Sequence, residues 1–225
     1  MKKNYKYKVI RTADGSDSVA LENAAETFHS QFGALTESVH IFINAGLKEA
    51  QKVYRRVNIL EVGFGTGLNA LLTLRYSAEN DLEVCYKAIE PYPLPPDIYM
   101  QLNYPQLTGC DETTFIRLHQ GAVNKETRFS EKFSLSLTNE TVQSIIMPED
   151  FYHLVFFDAF NPDLEPDMWQ ADVFGRLYQA MKKNSILVTY SAKGSVRRAM
   201  TYTGFQVEKL PGPPGKRDIT RAFKR

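Results

Sequence analysis

The run Ile59-Leu60-Glu61-Val62-Gly63-Phe64-Gly65-Thr66-Gly67-Leu68 constrains the fold more than any other stretch of this 225-residue chain. Ile59 to Val62 reads as a short buried strand and the alternating glycines as a tight turn. Leu68, Leu71, Leu72 and Leu74 then fall at helical spacing. Such a strand, turn and helix form the opening βα unit of an α/β sheet. The alternation repeats: Val84 to Glu90 predicts a second strand, stopped by Pro91-Tyr92-Pro93-Leu94-Pro95-Pro96, with a helix over Ile98 to Leu102.

Further along, Phe115 to His119 and Phe133 to Leu137 both alternate, which predicts an inserted hairpin whose second strand joins the main sheet. Thr138-Asn139 then caps a helix carrying Val142, Ile145 and Ile146. Leu154 to Phe157 predicts a buried strand ending at Asp158, followed by a helix over Asp167 to Met181, a strand over Ile186 to Tyr190 and a helix over Ser195 to Tyr202. Phe205 to Val207 and Ile219 to Phe223 close the chain as an antiparallel pair around Pro211-Gly212-Pro213-Pro214-Gly215. The expected fold is therefore α/β, doubly wound and Rossmann-like, its sheet mostly parallel with an antiparallel C-terminal strand and the inserted hairpin. Residues 58–225 make that domain, and residues 1–57 are expected as an ordered N-terminal extension packed on it.

Composition narrows the function classes. No apolar run approaches membrane-spanning length, and the basic start Met1 to Lys8 lacks the apolar centre of a signal peptide, so a cytoplasmic protein is expected. Cys85 and Cys110 lie too far apart for a redox or zinc motif. His29, His40, His119 and His153 show no ligand spacing, so no metal site is expected. The net charge of +1 conceals an asymmetry. From Lys193 onward nine basic residues face only Glu208 and Asp218, a local +7 that leaves −6 for the remainder. A basic segment on an acidic domain suits a polyanionic partner, since phosphate contacts supply most nucleic-acid affinity.

The glycine turn has the spacing Gly-x-Gly-x-Gly, whereas a nicotinamide-binding turn wants Gly-x-Gly-x-x-Gly and here would need a glycine where Leu68 stands. The shorter spacing behind an acid is the methyltransferase pattern, in which bare backbone lets S-adenosyl-L-methionine lie over the turn. On that reading Glu61, Gly63, Phe64, Gly65, Gly67 and Asn69 belong to the cofactor site, with Glu61 holding the methionine ammonium. Glu90, followed by Pro91, ends the second strand where an acceptor can take both ribose hydroxyls. Asn139 or Glu140, after the third sheet strand, is placed against the adenine; were Phe115 to His119 that strand instead, Gly121-Ala122 would stand there. Methyl transfer needs little beyond a positioned, unprotonated nucleophile. Asp158, at the end of the fourth strand, is the candidate group to bind an acceptor ammonium and take its proton, with Phe160 as an apolar or stacking wall.

Glu61 to Asn69, Glu90-Pro91 with Pro93-Leu94, Asp158-Ala159-Phe160-Asn161-Pro162, Pro166-Asp167-Met168-Trp169, Val196-Arg197-Arg198 with Gly204-Phe205, and Gly215-Lys216-Arg217 together resemble the methyltransferase half of the MnmC tRNA-modification family. The resemblance implies N-methylation of 5-aminomethyl-2-thiouridine at the tRNA wobble position, with Asp158 as the catalytic aspartate and Trp169, Arg197, Arg198, Lys216 and Arg217 on the substrate side. The Asn139-Glu140 pair departs from the aspartate usual in the family. The flavin-dependent oxidase half of the fused members has no counterpart in these residues. A stand-alone enzyme is thus implied, its aminomethyl substrate supplied by a separate oxidase or other modification enzyme. Three other readings share some of these residues: a methyltransferase of a small-molecule amine or carboxylate, an NAD-dependent oxidoreductase, and an RNA-binding module without turnover.

Overall fold

A computed structural model describes residues 5–24, 26–121 and 123–225. The first four residues of the basic start, and Ala122 of the Gly121-Ala122 alternative, lie outside the described residues. Strands β1 (Tyr7–Arg11), β2 (Asp17–Leu21) and β3 (Glu26–Thr27) form a small antiparallel sheet. A helical rod follows, with α1 (Ala34–Ser38), a π-helical stretch (Val39–Leu47) and α2 (Lys48–Gln51). The alternating part then runs β4 (Arg56–Val62), α3 (Leu68–Glu79), β5 (Glu83–Ile89), α4 (Pro96–Tyr99), α5 (Tyr104–Thr108), α6 (Glu112–His119), β6 (Glu126–Arg128), β7 (Phe133–Thr138) and β8 (Tyr152–Phe157). It ends with α7 (Ala171–Ala180), β9 (Met181–Thr189), α8 (Gly194–Tyr202), β10 (Gln206–Pro211) and β11 (Asp218–Lys224).

The large sheet has the order β10-β11-β9-β8-β4-β5-β7-β6. Its five central strands pair in parallel, and β6, β11 and β10 are antiparallel additions at the two edges. The Rossmann-like α/β fold stands, with β11 as the antiparallel strand at the C-terminal edge and β10 paired to it as expected. Because β4 is flanked by β5 on one side and β8 on the other, the winding reverses beside it. Ligands of open α/β sheets bind at the carboxyl ends of strands at such a switch point.

Strand alternation assigns the two faces. Ile59, Tyr86, Leu135, Leu154, Phe156 and Val188 pack with Phe42, Leu71 and Phe115 on one side. Leu60, Val62, Val155, Phe157 and Leu187 pack with Phe174, Leu177, Val196 and Met200 on the other. All six residues of β8 are buried, as a strand covered on both faces requires.

Three local expectations are corrected. Phe115 to His119 is the end of helix α6, not a strand; the hairpin partner of β7 is β6. Asp111 caps the helix by accepting from the Thr114 amide at 2.8 Å, and Phe115 and Leu118, three residues apart, bury one face. The helix expected after Thr138-Asn139 is a single turn over Thr141 to Ser144. Val142 and Ile145 are buried, but Ile146 is 91% exposed, so the apolar face is never completed. Pro148 denies the next turn an amide and disfavours helical backbone at Met147. The helix expected over Asp167 to Met181 is broken at Gln170, whose backbone is extended (φ −85°, ψ 161°), into a 3₁₀ turn over Pro166–Trp169 and α7; Met181 already pairs with Tyr152 in the sheet.

Candidate active site

The carboxyl ends of β4, β5 and β8 meet under a cavity of about 540 Å³. Gly63 donates its amide to Ile89 at 3.0 Å, and Asp158 donates its amide to Val62 at 2.9 Å, so three strand ends are knotted at one point. Gly63 has φ 91° and touches the Asp158 segment so closely that an added Cβ would overlap the Asp158 carbonyl. Gly65, at φ 51°, leaves room for the ring of Phe28, which would lie 3.0 Å from a Cβ there. The glycine turn is thus shaped as much by its neighbours in the protein as by the space above it.

Glu90 lines the cavity and spans the mouth of the turn. One carboxylate oxygen accepts from the Gly65 amide at 3.0 Å and the other from the Tyr92 amide at 2.9 Å. Burial raises its pKa, and those two amide hydrogen bonds oppose the shift. Phe64, Pro91, Asp158 and Phe160 also line the cavity.

Glu61 does not line it. Strand alternation turns Glu61 to the face it shares with Ile59, beneath α3, where it is fully buried and accepts from Asn69 Nδ2 at 3.0 Å. The same Nδ2 donates to Asp158 Oδ2 at 2.8 Å, so Asn69 is a bridge between two carboxyl groups. Glu61 Oε2 has no hydrogen-bond partner, and burial holds its pKa well above the usual carboxylate range.

Asp158 is pushed up to about 7, first by burial and then by the charge of Glu37, while the Asn69 hydrogen bond and Lys216 pull it down. A carboxyl raised from 3.8 to about 7 keeps its proton more firmly in the folded chain than in the unfolded one. Its contribution to stability is therefore full below pH 4, lost as the pH rises to about 7, and constant above that. Asp158→Asn removes this dependence. In thermal melts without ligand, the variant should gain on the wild type between pH 4 and pH 7 by on the order of 2–4 kcal/mol. Parallel curves for the two proteins across that range would show that the Asp158 carboxyl is unperturbed.

Several expected residues lie elsewhere. Asn139 and Glu140 are exposed at the end of β7 and do not line the cavity; Thr141, Val142 and Gln143 take that place. Trp169 is buried and donates its indole N–H to the Phe160 carbonyl at 2.9 Å, anchoring the segment that carries Phe160. Arg197 and Arg198 flank Thr201 and Tyr202 in a separate groove on α8. Arg217 is almost fully exposed, whereas Lys216 turns inward to the cavity. Part of the basic C-terminal charge is neutralised within the fold, by the pairs Arg221 with Glu208, Lys224 with Asp150 and Lys209 with Asp218.

The cavity also has walls that no local pattern announces. Tyr5, Tyr7 and Phe28 come from the N-terminal segment, and the Phe28 ring meets that of Phe160 edge-on at 5.0 Å. His29 hydrogen-bonds the Thr66 hydroxyl at 2.6 Å, while His119 donates to the Thr66 carbonyl at 3.2 Å. Burial lowers both imidazoles to about 4, so at neutral pH they are uncharged clamps on the glycine turn. Glu37 from α1 and Tyr190 after β9 complete the wall.

A left-handed glycine turn, a carboxylate across its mouth and a cavity at the switch point fit an adenosyl ligand. The sequence model of an S-adenosyl-L-methionine-dependent methyltransferase family matches residues 113–225. The chain belongs to this family. Among relatives, the methyltransferase is 29% identical over 221 residues to the tRNA 5-methylaminomethyl-2-thiouridine biosynthesis bifunctional protein MnmC of Cupriavidus metallidurans, an alignment covering 88% of this chain and 31% of the relative. It thus spans about a third of that protein's length. The crystal structure of MnmC2 from Aquifex aeolicus superposes with a TM-score of 0.79 at 27% identity, over 100% of this chain and 72% of that one. Spermidine synthase from Thermotoga maritima, at 10% identity and a TM-score of 0.62, over 100% of this chain and 72% of that one, shares the fold alone. Among the described residues of the methyltransferase, no helix is long and apolar enough to cross a membrane, and no cluster of His, Cys, Asp or Glu is arranged to hold a metal ion.

Proposed function

We propose that this methyltransferase N-methylates the aminomethyl group of 5-aminomethyl-2-thiouridine at the wobble position of tRNA. The observation that carries the reading is the character of the acceptor end of the cavity. Asp158 lines the same cavity as Phe160, Phe28, Tyr5 and Tyr7, whose rings pack in series, so that one space offers a carboxylate and an aromatic wall suited to a planar base bearing an ammonium. The names of the MnmC relatives support the same substrate. The exposed Arg198 and Arg217, with Arg197, provide cations for phosphate contacts outside the cavity.

Glu90 is assigned to the ribose hydroxyls, with Phe64 and Pro91 beside it, and the turn from Gly63 to Thr66 gives the adenosyl group its close approach, whereas Gly67 faces His119 and Phe64 and does not line the cavity. When bound, S-adenosylmethionine supplies a methyl group on a positively charged sulfur. Asp158 takes a proton from the acceptor's ammonium and so exposes the nitrogen lone pair. Asn69 fixes Asp158 Oδ2, which leaves Oδ1 as the atom that receives the proton. Glu61 acts at one remove, by fixing Asn69.

The test is incubation with S-adenosylmethionine and tRNA carrying 5-aminomethyl-2-thiouridine, followed by mass analysis of the nucleosides. The expected product is 5-methylaminomethyl-2-thiouridine, with tRNA binding that weakens steeply with salt. Methylation of small amines but not of the tRNA would overturn the reading in favour of a small-molecule methyltransferase.

A further inference from the structure

The loop between β10 and β11 sends Lys216 into the cavity, where its Nζ lies 3.2 Å from Glu37 Oε1 and 4.5 Å from the centroid of the Tyr190 ring. Among the described residues that line the cavity it is the sole lysine or arginine, facing Glu26, Glu37, Glu90, Asp158, Glu165 and Asp167. Its distal end is a methylene carrying an ammonium, chemically the group that an aminomethyl substrate presents.

The fit of Lys216 in this place is incomplete. Glu37 is 7% exposed, and its Oε2 accepts from the Ser30 amide at 2.8 Å. Its Oε1 receives no hydrogen bond, because the Lys216 ammonium lies within ion-pairing range but is not aligned to donate. An ion pair without an aligned hydrogen bond is weaker than one with it, so the seat can yield to an ammonium that aligns better when Lys216 is drawn away. Tyr190 presents a fixed ring face, its hydroxyl being held by the Ala159 carbonyl at 2.9 Å. A carboxylate and an aromatic face around one ammonium form a seat for an alkylammonium ion.

We propose that Glu37 and the face of Tyr190 seat the protonated aminomethyl group of the acceptor, and that Lys216 occupies this seat until the acceptor displaces it. The assignment rests on the reading of the substrate as an amine. It makes Glu37 a binding residue that hands the acceptor to Asp158. It also gives Lys216 two places, one against Glu37 and one outside, next to the exposed Arg217, where an RNA phosphate can take it up. Lys216 thereby links entry of the amine to arrival of the polyanion.

The seat can be probed without any methyl transfer, using n-butylammonium chloride against sodium chloride at equal ionic strength and reading the thermal midpoint. Wild type should show no saturable stabilisation by millimolar n-butylammonium, since its own lysine fills the seat. Lys216→Met, and independently Lys216→Gln, should show it. Adding Glu37→Gln to either should weaken the apparent affinity by about tenfold or more, the scale of a charge-assisted hydrogen bond. If neither Lys216 variant binds n-butylammonium, or if Glu37→Gln leaves the binding intact, the seat is not there. In turnover, Glu37→Gln should raise KM for the modified tRNA by about tenfold or more with a smaller change in kcat. Butylammonium binding without any methylation of tRNA would uphold the seat and reject the tRNA substrate. Methylation of tRNA with Glu37→Gln at wild-type KM would do the reverse.

Discussion

Asp158→Asn should lower turnover by about 10²-fold or more, the range typical of losing a general base, while S-adenosylmethionine still binds. The substitution keeps the shape of the side chain at the end of β8 and its place beside Asn69, but it can no longer attract an ammonium or hold its proton. The wild-type carboxyl, pushed up to about 7, ionises over the neutral range. In the free enzyme, kcat/KM should therefore rise with pH through about 7, as the base form becomes populated, and this limb should be absent from the variant. Because an amine also loses its proton to water, the defect should shrink as the pH approaches the amine's own pKa. The measurement is single-turnover methylation from neutral to alkaline pH, with cofactor affinity measured in parallel by calorimetry. Wild-type rates at neutral pH would remove Asp158 as the base, and loss of cofactor binding alone would make it a cofactor residue.

Gly63→Ala is the second large effect. The native φ of 91° disfavours any side chain, and the new Cβ would run into the Asp158 carbonyl, where the chain leaves β8 for the loop carrying Phe160. The chain must either strain or move the Asp158 segment away from β4, at a cost of about 2–4 kcal/mol in stability. Since Gly63 also donates to Ile89 at the end of β5, the displacement would reach Glu90, and S-adenosylmethionine affinity should fall with it. Urea unfolding together with calorimetric titration separates the two losses. A variant with unchanged midpoint and unchanged affinity would show that the turn tolerates a side chain and that the close packing of the three strand ends is not needed.

What could be read from the sequence follows from how locally each feature is encoded. The strand Ile59 to Val62, the glycine turn, Glu90 ahead of its prolines and Asp158 at the end of an apolar run are each specified within a few residues. Their arrangement at one sheet edge follows from parallel topology. Phe115 to His119 misled because its apolar residues satisfy two periods at once, and the deciding signal, the Asp111 cap, lies outside the run. Glu61 was placed in the right turn but on the wrong side of it. Its parity with Ile59 sends the carboxyl under α3 rather than toward the ligand space, which can be read once the burial of both sheet faces is known. Glu37, Tyr190, Phe28 and His29 carry no local mark at all. Glu37, Phe28 and His29 become cavity wall because the helical rod and the N-terminal segment fold over the switch point, and Tyr190 because β9 ends at the same sheet edge. Lys216 was placed on the substrate side beside Arg217, but nothing local separates the two; its ion pair with Glu37, far away in sequence, goes with its turning into the cavity while Arg217 stays exposed.

The pairing of such distant residues bears on the order of assembly. The π-helical stretch packs against β9 and β11 as well as against α3 and β8, His40 hydrogen-bonds the Pro211 carbonyl at 2.8 Å, and Glu37 meets Lys216. Part of what fixes this early segment of the chain is thus supplied only by the last strands. Loop closures this long are paid for before their contacts form, so a folding chain should lay down the parallel strands around β4 first and acquire the acceptor side of the cavity late. Until then the apolar rod is exposed to water and to other chains. The wall proposed to receive the acceptor is therefore also the part of the molecule most vulnerable to misassembly during synthesis.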